Sequence, residues 1–557
     1  MLINSRIIVC LLAAVLPAVV MAEAPARPNI LILMAEDMSA RVGVFGDEVA
    51  VTPNIDYLAQ QGVRYPNTFT AAGVCAPSRA AHIMGMHQIS FGAQHMRTSG
   101  GPVGSYRAVP PPNAKAYPEL LRAAGYYTWT DSKLDYQFSA IRAGSGPFTI
   151  WNRDGAAYNE WRNRQPGQPF YGLVNLAVTH ESGVFTPLGH WPNSVTHLLM
   201  QVMRAVKLPS VPEGEPIKPS QVIVPPYYPD TMAVRSDMAR HYNNITVMDQ
   251  QVGDILGELE ADGLADSTIV IWTTDHGDGL PRAKRDLFDL GIKVPMIIRW
   301  PEAFRPEGVA MNGVDARMVS FVDFAPTLLK LAGVTSPKYL QGQDFVNDEP
   351  REFIYASRDR IDEVLDRQRA VRDSQYKYIR SWQPDQPGGH HLAYRDNMDM
   401  MADMWEMLEA GQLNAAQRQW FEAPGEERLF DLKDDPLELN NLAADPAYHQ
   451  TLERMRAALV DWQGEVEDWS EQSEVEMLAG FQPNGEVQQT KAPTISFLDG
   501  QLLLASVTEG ASMGYRIEGG EWQLYNGPIA IVTGVEVEAK AIRYGWEESA
   551  PLSKTAP

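Results

Sequence analysis

Cys75-Ala76-Pro77-Ser78-Arg79 sets a thiol, a hydroxyl and a guanidinium around a proline. Proline suits the first turn of a helix. Cys75 is therefore expected at a helix N-terminus, where free backbone N–H groups favour an anion. Arg79 lies one helical turn further on and can face the same point. Together they read as an anion-binding turn with a nucleophile beside it. The chain has 2 cysteines, and Cys10 falls inside an N-terminal apolar run. If that run is removed on export, Cys75 has no disulfide partner. A lone cysteine is a buried leftover or a reactive centre, and these neighbours favour the reactive centre.

A second set of polar residues stands at the ends of short apolar runs. Ile30–Met34 leads to Glu36-Asp37, Tyr126–Thr130 to Asp131 and Lys133, Leu173–Val178 to His180-Glu181, and Ile269–Thr273 to Asp275-His276-Gly277. Val294–Ile298 is a fifth run of the same kind. Such runs suit buried parallel strands. Between them lie helical patterns. Ala116–Ala124 stops at Gly125, and Met238, Tyr242, Ile245, Met248, Val252, Ile255 and Leu259 form one apolar stripe. Alternating strands and helices predict an α/β fold, a mostly parallel central sheet with helices on both faces. Ligands of such sheets bind outside the carboxyl ends of the strands, where four of the runs deliver acids, a lysine and histidines.

The 557 residues suggest about three or four domain-sized units. Residues 1–22 read as an export signal: Arg6, an apolar run, then Val20-Met21-Ala22. That run is too short for a comfortable membrane span, and no later stretch is apolar enough for one. We expect the α/β domain over 23–350, and a smaller antiparallel-sheet subdomain over 351–486. The last module, over 491–557, is expected to be a β-sandwich of alternating strands and glycine turns. Pro187–Pro229 reads as an ordered excursion at the rim of a cleft or as a floppy insertion. Asp461–Glu476 reads as an acidic, solvated linker. Lys and Arg total 47 against 70 Asp and Glu, a net charge of −23. That argues against a nucleic-acid partner and against docking on an anionic membrane, but not against an anionic substrate in one locally cationic cleft.

Cys75, Pro77, Ser78, Arg79 and Gly85 match the maturation motif of the type I sulfatases, which is Cys-x-Pro-Ser-Arg with a glycine ten residues after the cysteine. The chain resembles that family, part of the alkaline-phosphatase-like superfamily, from about Arg27 to Ala447. Further matching motifs are Arg27-Pro28-Asn29-Ile30, Thr52-Pro53-Asn54-Ile55-Asp56, Thr274-Asp275-His276-Gly277 and Leu429-Phe430-Asp431-Leu432 with Asp434-Asp435-Pro436. The likeness is greatest to carbohydrate sulfatases, including the heparan N-sulfatase-like group. The last module resembles the chitobiase C-terminal or fibronectin-like sandwiches appended to secreted enzymes.

The resemblance implies that a formylglycine-generating maturation enzyme oxidises Cys75 to formylglycine (3-oxoalanine). It also implies one divalent metal, calcium first, held by Glu36, Asp37, Asp275, His276 and residue 75. Two ligands depart from the commoner family pattern, Glu36 for Asp and His276 for Asn. Imidazole is the softer ligand, so another divalent ion stays open. By the same resemblance Arg79 holds the nucleophile, Lys133 and Lys284 bind sulfate, and His180 contacts sulfate or protonates the leaving oxygen. Where many sulfatases carry Lys-x-His, this chain has Lys133-Leu134-Asp135. Either His180 does the acid work alone, or His390 or His391 enters from a loop. Asp135 then orients a lysine or binds a sugar hydroxyl. Arg358-Asp359-Arg360, with Asp362, lines the pocket or is a solvated charge cluster.

The expected function is an exported, periplasmic or secreted sulfatase acting on a sulfated carbohydrate. The acidic surface suits a saline habitat and favours an algal polysaccharide. Open alternatives are an N-sulfoglucosamine sulfohydrolase-like activity, a phosphate or phosphonate monoester hydrolase, and a non-catalytic glycan-binding protein.

Overall fold

The computed structural model describes residues 27–98, 103–209 and 216–557. The export signal read over residues 1–22 lies outside them. Among the described residues, no helix is long and apolar enough to cross a membrane.

The central sheet holds β1 (Asn29–Ala35), β2 (Val63–Phe69), β3 (Tyr127–Thr130), β4 (Phe170–Leu176), β5 (Thr268–Thr274), β6 (Lys293–Arg299) and two short strands, β7 (Gly313–Val314) and β8 (Val319–Ser320). Its order is β3-β4-β1-β5-β6-β2-β7, with β8 also on β2. The four strands β3, β4, β1 and β5 run parallel. β6 runs antiparallel to β5, which corrects the reading of Val294–Ile298 as a parallel strand. The connection between β5 and β6 carries the site loop and only a four-residue helix, Asp289–Ile292, so no long helix crosses a face of the sheet to bring the chain back in parallel.

Side chains of the sheet alternate between two cores. Leu31 and Leu33 of β1, with Val270 and Trp272 of β5, face one. Ile30 and Ile32, with Ile269 and Ile271, face the other. Helices cover both faces: α1 (Pro53–Gln60), α2 (Cys75–Met84), α3 (Tyr117–Ala123), α4 (Val195–Lys207) and α5 (Met232–Ala261). The stripe expected from Met238 to Leu259 is the buried face of α5. Within the proline-rich excursion stands α4, capped by the Ser194 side chain and seated through buried His197 and Gln201. The prolines around it concealed its periodicity.

The second sheet is antiparallel, β12-β11-β10-β9 in order: β9 (Ile354–Ile361), β10 (Val364–Arg372), β11 (Tyr376–Ser381) and β12 (Glu427–Asp431). The helix His449–Val466 buries Leu452, Met455, Leu459 and Trp462 against it. Asp461–Glu476 is not a solvated linker. It completes that helix, then pairs Asp468 with Arg369 at 2.7 Å and Glu474 with Arg360 at 2.6 Å. These buried arginines give the acidic run a destination that composition alone cannot show.

The C-terminal segment packs a three-stranded sheet (Thr494–Leu498, Gln501–Ala505, Ile529–Ala530) on a four-stranded one around Leu502 and Val537. It docks on α3. Tyr544 donates to Glu119 at 2.7 Å, and Arg122 donates to the Trp522 carbonyl at 2.8 Å.

Candidate active site

The register of β1 and β5 joins the two polar doublets. Ala35 pairs with Thr274, so Glu36-Asp37 and Asp275-His276 leave adjacent strands side by side. The Asp37 N–H donates to Asp275 Oδ1 at 3.0 Å. His276 Nε2 stands 3.0 Å from Asp37 Oδ1 and 3.7 Å from Asp275 Oδ1. Cys75 Sγ lies 3.3 Å from that same Nε2 and 3.8 Å from Asp37 Oδ1. The Cys75 thiol is therefore buried among charges at the sheet edge.

Helix α2 holds it there. Ser78 Oγ donates to the Asp275 carbonyl at 2.6 Å, and Arg79 Nε donates to Asp275 Oδ2 at 3.0 Å. Arg79 also donates to the Asn175 side-chain oxygen at the end of β4. At its far end α2 stops on Gly85 in the left-handed region, φ 62°. A Cβ there would sit 2.5 Å from that of Ala325, so glycine is needed for both conformation and space.

The cations expected around the thiol are present. Lys133 Nζ is 2.9 Å from Glu36 Oε2, and Lys284 Nζ is 2.5 Å from Asp37 Oδ2. Burial alone would raise the Cys75 thiol, but Lys133 and Lys284 outweigh it and bring it down to about 6. Burial likewise resists charging His276, yet Asp275, Cys75 and Asp37 raise it to about 10. Against its own burial, Asp37 is held well below the usual carboxylate range by Lys284, His180 and His276. The pocket thus stabilises negative charge at position 75. His180 is the partly exposed member, with Nε2 3.9 Å from Asp37 Oδ2 and Nδ1 3.0 Å from Ser182 Oγ.

Asp37, Cys75, Asp275 and His276 bring one ligand atom each within 4.8 Å of one another, as do Glu36, Asp37 and His180. Glu36 Oε1 is buried with no hydrogen-bond partner. Two carboxylates, an imidazole and residue 75 converge on one buried point, and Glu36 joins them through Asp37, which both groups share. Such oxygen donors fit a hard divalent cation, with the imidazole as the softer donor.

Other expected residues are placed differently. Asp135 orients neither lysine; its nearest cation is Arg97 Nη2 at 3.8 Å. His391 is exposed, stacked on Trp405 and 2.8 Å from Asp396. His390 Nδ1 faces the Pro387 carbonyl at 2.9 Å. Neither histidine joins the acids, so the reading of either as an acid entering from the loop is corrected. Arg358, Asp359 and Arg360 are bound to Asp286, Arg369 and Glu474 at 2.6, 3.0 and 2.6 Å. Their charges anchor the second sheet and are not available to line the pocket.

Several contributors were missed in the sequence. Glu181 receives both terminal nitrogens of Arg285 at 2.7 Å each, and its N–H donates to Asp37 Oδ2 at 2.7 Å. Asp278 accepts from the Ser39 N–H and from Arg41 Nε at 2.8 and 2.7 Å, locking the turn after β1 to that after β5. The available signal was adjacency: Glu181 follows His180, Arg285 follows Lys284 and Asp278 closes Asp275-His276-Gly277. Arg97 had no such signal. Asp37, Asp135, Arg282 and Arg285 have φ of 51°, 56°, 61° and 82°. Non-glycine residues hold that region only where surroundings enforce it.

A family model described as Sulfatase matches residues 28–334, and one described as N-sulphoglucosamine sulphohydrolase, C-terminal, matches 282–387. An ulvan-active sulfatase of Formosa agariphila is 40% identical, with 94% of this chain and 91% of that protein covered. Human N-sulphoglucosamine sulphohydrolase is 26% identical, over 80% of this chain and 91% of its own. Among solved structures, a 2-O GAG sulfatase has the same fold, with a TM-score of 0.55, 21% identity, and coverage of 79% of this chain and 93% of that one. The chain belongs to the sulfatase family and is a sulfuric ester hydrolase.

Proposed function

We propose that this protein is an exported carbohydrate sulfatase that releases inorganic sulfate from ulvan or its oligosaccharides. The observation that carries the reading is the position of Cys75, its thiol 3.3 Å from His276 Nε2 and 3.8 Å from Asp37 Oδ1, with Lys133 and Lys284 acting on it. The substrate class is supported by the 40% identity to an ulvan-active sulfatase along nearly the whole chain. The likeness to the human N-sulphoglucosamine sulphohydrolase is weaker, at 26%. Export is supported by the apolar N-terminal run that follows Arg6.

A sulfate ester resists nucleophiles because its own oxygens repel them. Lys133, Lys284 and Arg79 supply the positive charge that offsets this, in a site where burial strengthens each interaction. Oxidised to formylglycine by the maturation enzyme and hydrated, residue 75 would supply paired hydroxyls, the oxygen chemistry that attack on sulfur and later release of sulfate call for. Glu36, Asp37, Asp275 and His276 would hold a divalent cation, calcium in this reading, which supplies Lewis-acid polarisation of the sulfate. Arg79, fixed by Asp275 and Asn175, holds the oxygen at residue 75 against the sulfate. His180 is open to the cleft and donates the proton that the departing sugar oxygen needs. Ser182 holds the ring through Nδ1, with its Oγ at 3.0 Å and its N–H donating at 3.3 Å, which leaves Nε2 to carry that proton.

Ion chromatography of sulfate released from ulvan oligosaccharides, N-sulfoglucosamine and an aryl sulfate tests the reading, together with mass spectrometry of the Cys75 peptide. Release from the ulvan oligosaccharides by enzyme carrying the aldehyde is the expected result. Full activity with an unmodified thiol, or release from N-sulfoglucosamine alone, would overturn it.

A further inference from the structure

Beside the reacting position lies a pair of charges that the chemistry above does not use. Asp135 follows Lys133 by two residues, and its side chain is 5% exposed. Its Oδ2 has no hydrogen-bond partner, and its backbone is in the left-handed region, φ 56°. A buried carboxylate oxygen left unpaired is destabilising and calls for an explanation; a ligand that completes the bond is one. Arg97 faces it at 3.8 Å, longer than a hydrogen bond, with a side chain 34% exposed. Burial opposes the Arg97 charge, but Asp135, Cys75 and Asp362 all act on it and raise its pKa. Its guanidinium therefore lies within the field of the nucleophile's own pocket.

The balance of charge at this edge selects the ligand. Arg97 faces the Asp135 carboxylate directly, while Asp362, which also acts on it, is itself 3.7 Å from Arg285 Nε, so a second anion placed here meets the buried Asp135 charge. A hydroxyl suits the pair, because it donates to a carboxylate and accepts from a guanidinium at once. We propose that Asp135 and Arg97 form a subsite for an unsulfated hydroxyl next to the reacting sulfate. The enzyme therefore takes sugar residues whose neighbouring hydroxyl is free and rejects those sulfated at both positions. This rests on the carbohydrate reading of the cleft. A site that hydrogen-bonds a hydroxyl discriminates strongly against an analogue lacking it, since the buried groups are then left unpaired.

The test compares ulvan oligosaccharides with the same preparation chemically oversulfated, reading kcat/KM for sulfate release. Wild type should prefer the native preparation by about a hundredfold. Asp135→Asn keeps the shape and tolerates the left-handed backbone, and should lower kcat/KM on native oligosaccharides about 10–100-fold. It should also shrink the preference for them to below about tenfold, because the repelling charge is gone. That ratio would not move if Asp135 were only structural. Should Asp135→Asn fail to fold, Arg97→Gln, at a more exposed position, supplies the second reading, with a similar fall on native oligosaccharides. Equal turnover of both preparations by wild type, or an unchanged preference in both variants, would overturn the subsite and leave the carbohydrate reading standing. Release from an aryl sulfate but from neither preparation would overturn that reading and the subsite with it.

Discussion

Two regions of this chain bury charge densely, and they do so in opposite ways. Around Arg369, in the second sheet, the pairing is closed. The guanidinium donates to Asp468 at 2.7 and 2.9 Å and to Asp359 at 3.0 and 3.1 Å. Around Cys75 the pairing is open. Glu36 Oε1 and Asp135 Oδ2 are buried without hydrogen-bond partners. Burial of charge is therefore not what marks the working site. What marks it is a pair of carboxylate oxygens, Glu36 Oε1 and Asp135 Oδ2, buried with no hydrogen-bond donor.

The largest expected effect is at the open site. Cys75→Ala removes the precursor of the nucleophile from a small, fully buried position. Sulfate release should fall by at least about a thousandfold, while the melting temperature stays close to wild type. Activity near wild type, or a collapse of stability in its place, would erase the distinction between the two regions.

Next is removal of metal. Dialysis against a chelator should abolish sulfate release, and added calcium should restore it. Because an ion bound only to the folded state stabilises that state by about 3–4 kcal/mol at 100–1,000 times its dissociation constant, the chelated protein should also melt earlier. Unchanged melting and turnover would mean that Glu36, Asp37, Asp275 and His276 serve as a closed network like that of Arg369.

Arg369→Met inverts the pattern. Two buried carboxylates lose their common partner, and breaking such a pair costs about 3–5 kcal/mol. Denaturant titration should report that loss, whereas turnover per folded molecule should be that of wild type. A fall in turnover without a fall in stability would place Arg369 in the working site.

The open site was far more legible in the sequence than the closed one, for a physical reason. Its residues come from strand ends and one helix start, each announced locally by an apolar run or by Pro77. Parallel pairing of β1 with β5 then brings Glu36-Asp37 beside Asp275-His276 without further information. The Arg369 network joins residues from β9, β10 and a segment about a hundred residues later. Nothing near Asp468 in sequence says that its partner is an arginine in a distant strand, so the segment read as a linker. The direction of β6 failed similarly, since apolar runs carry no sense of direction and only the connection, which lacks a long crossing helix, sets it. Asp135 stood out because a histidine was expected there, but Arg97 carried no such mark.

The smallest predicted effect concerns a buried carboxylate in neither region. Asp237, in α5, accepts from the Met400 N–H at 2.8 Å and from Arg240. Burial pushes it up to about 7 from an ordinary 3.8; Arg240 and the Met400 N–H offset part of this, and Asp399 adds to it. In the Arg369 network the two carboxylates part company: Arg369 holds Asp468 below the usual range against its burial, whereas burial raises Asp359 to about 6 in spite of Arg369. Because the folded pKa is raised, Asp237 is protonated in both states below about pH 4 and costs nothing there. Between about pH 4 and about 7 only the unfolded chain ionises, so stability falls as pH rises, and above about 7 the penalty is complete. Asp237→Asn keeps the shape and removes the titration. Urea unfolding at pH 5 and pH 8 should show wild type losing more stability across that interval than the variant, by on the order of 2 kcal/mol. Parallel losses in the two proteins would mean that Arg240 and the Met400 amide already close this pair, and that one arginine with one backbone donor can do for Asp237 what Arg369 and Ser470 do for Asp468.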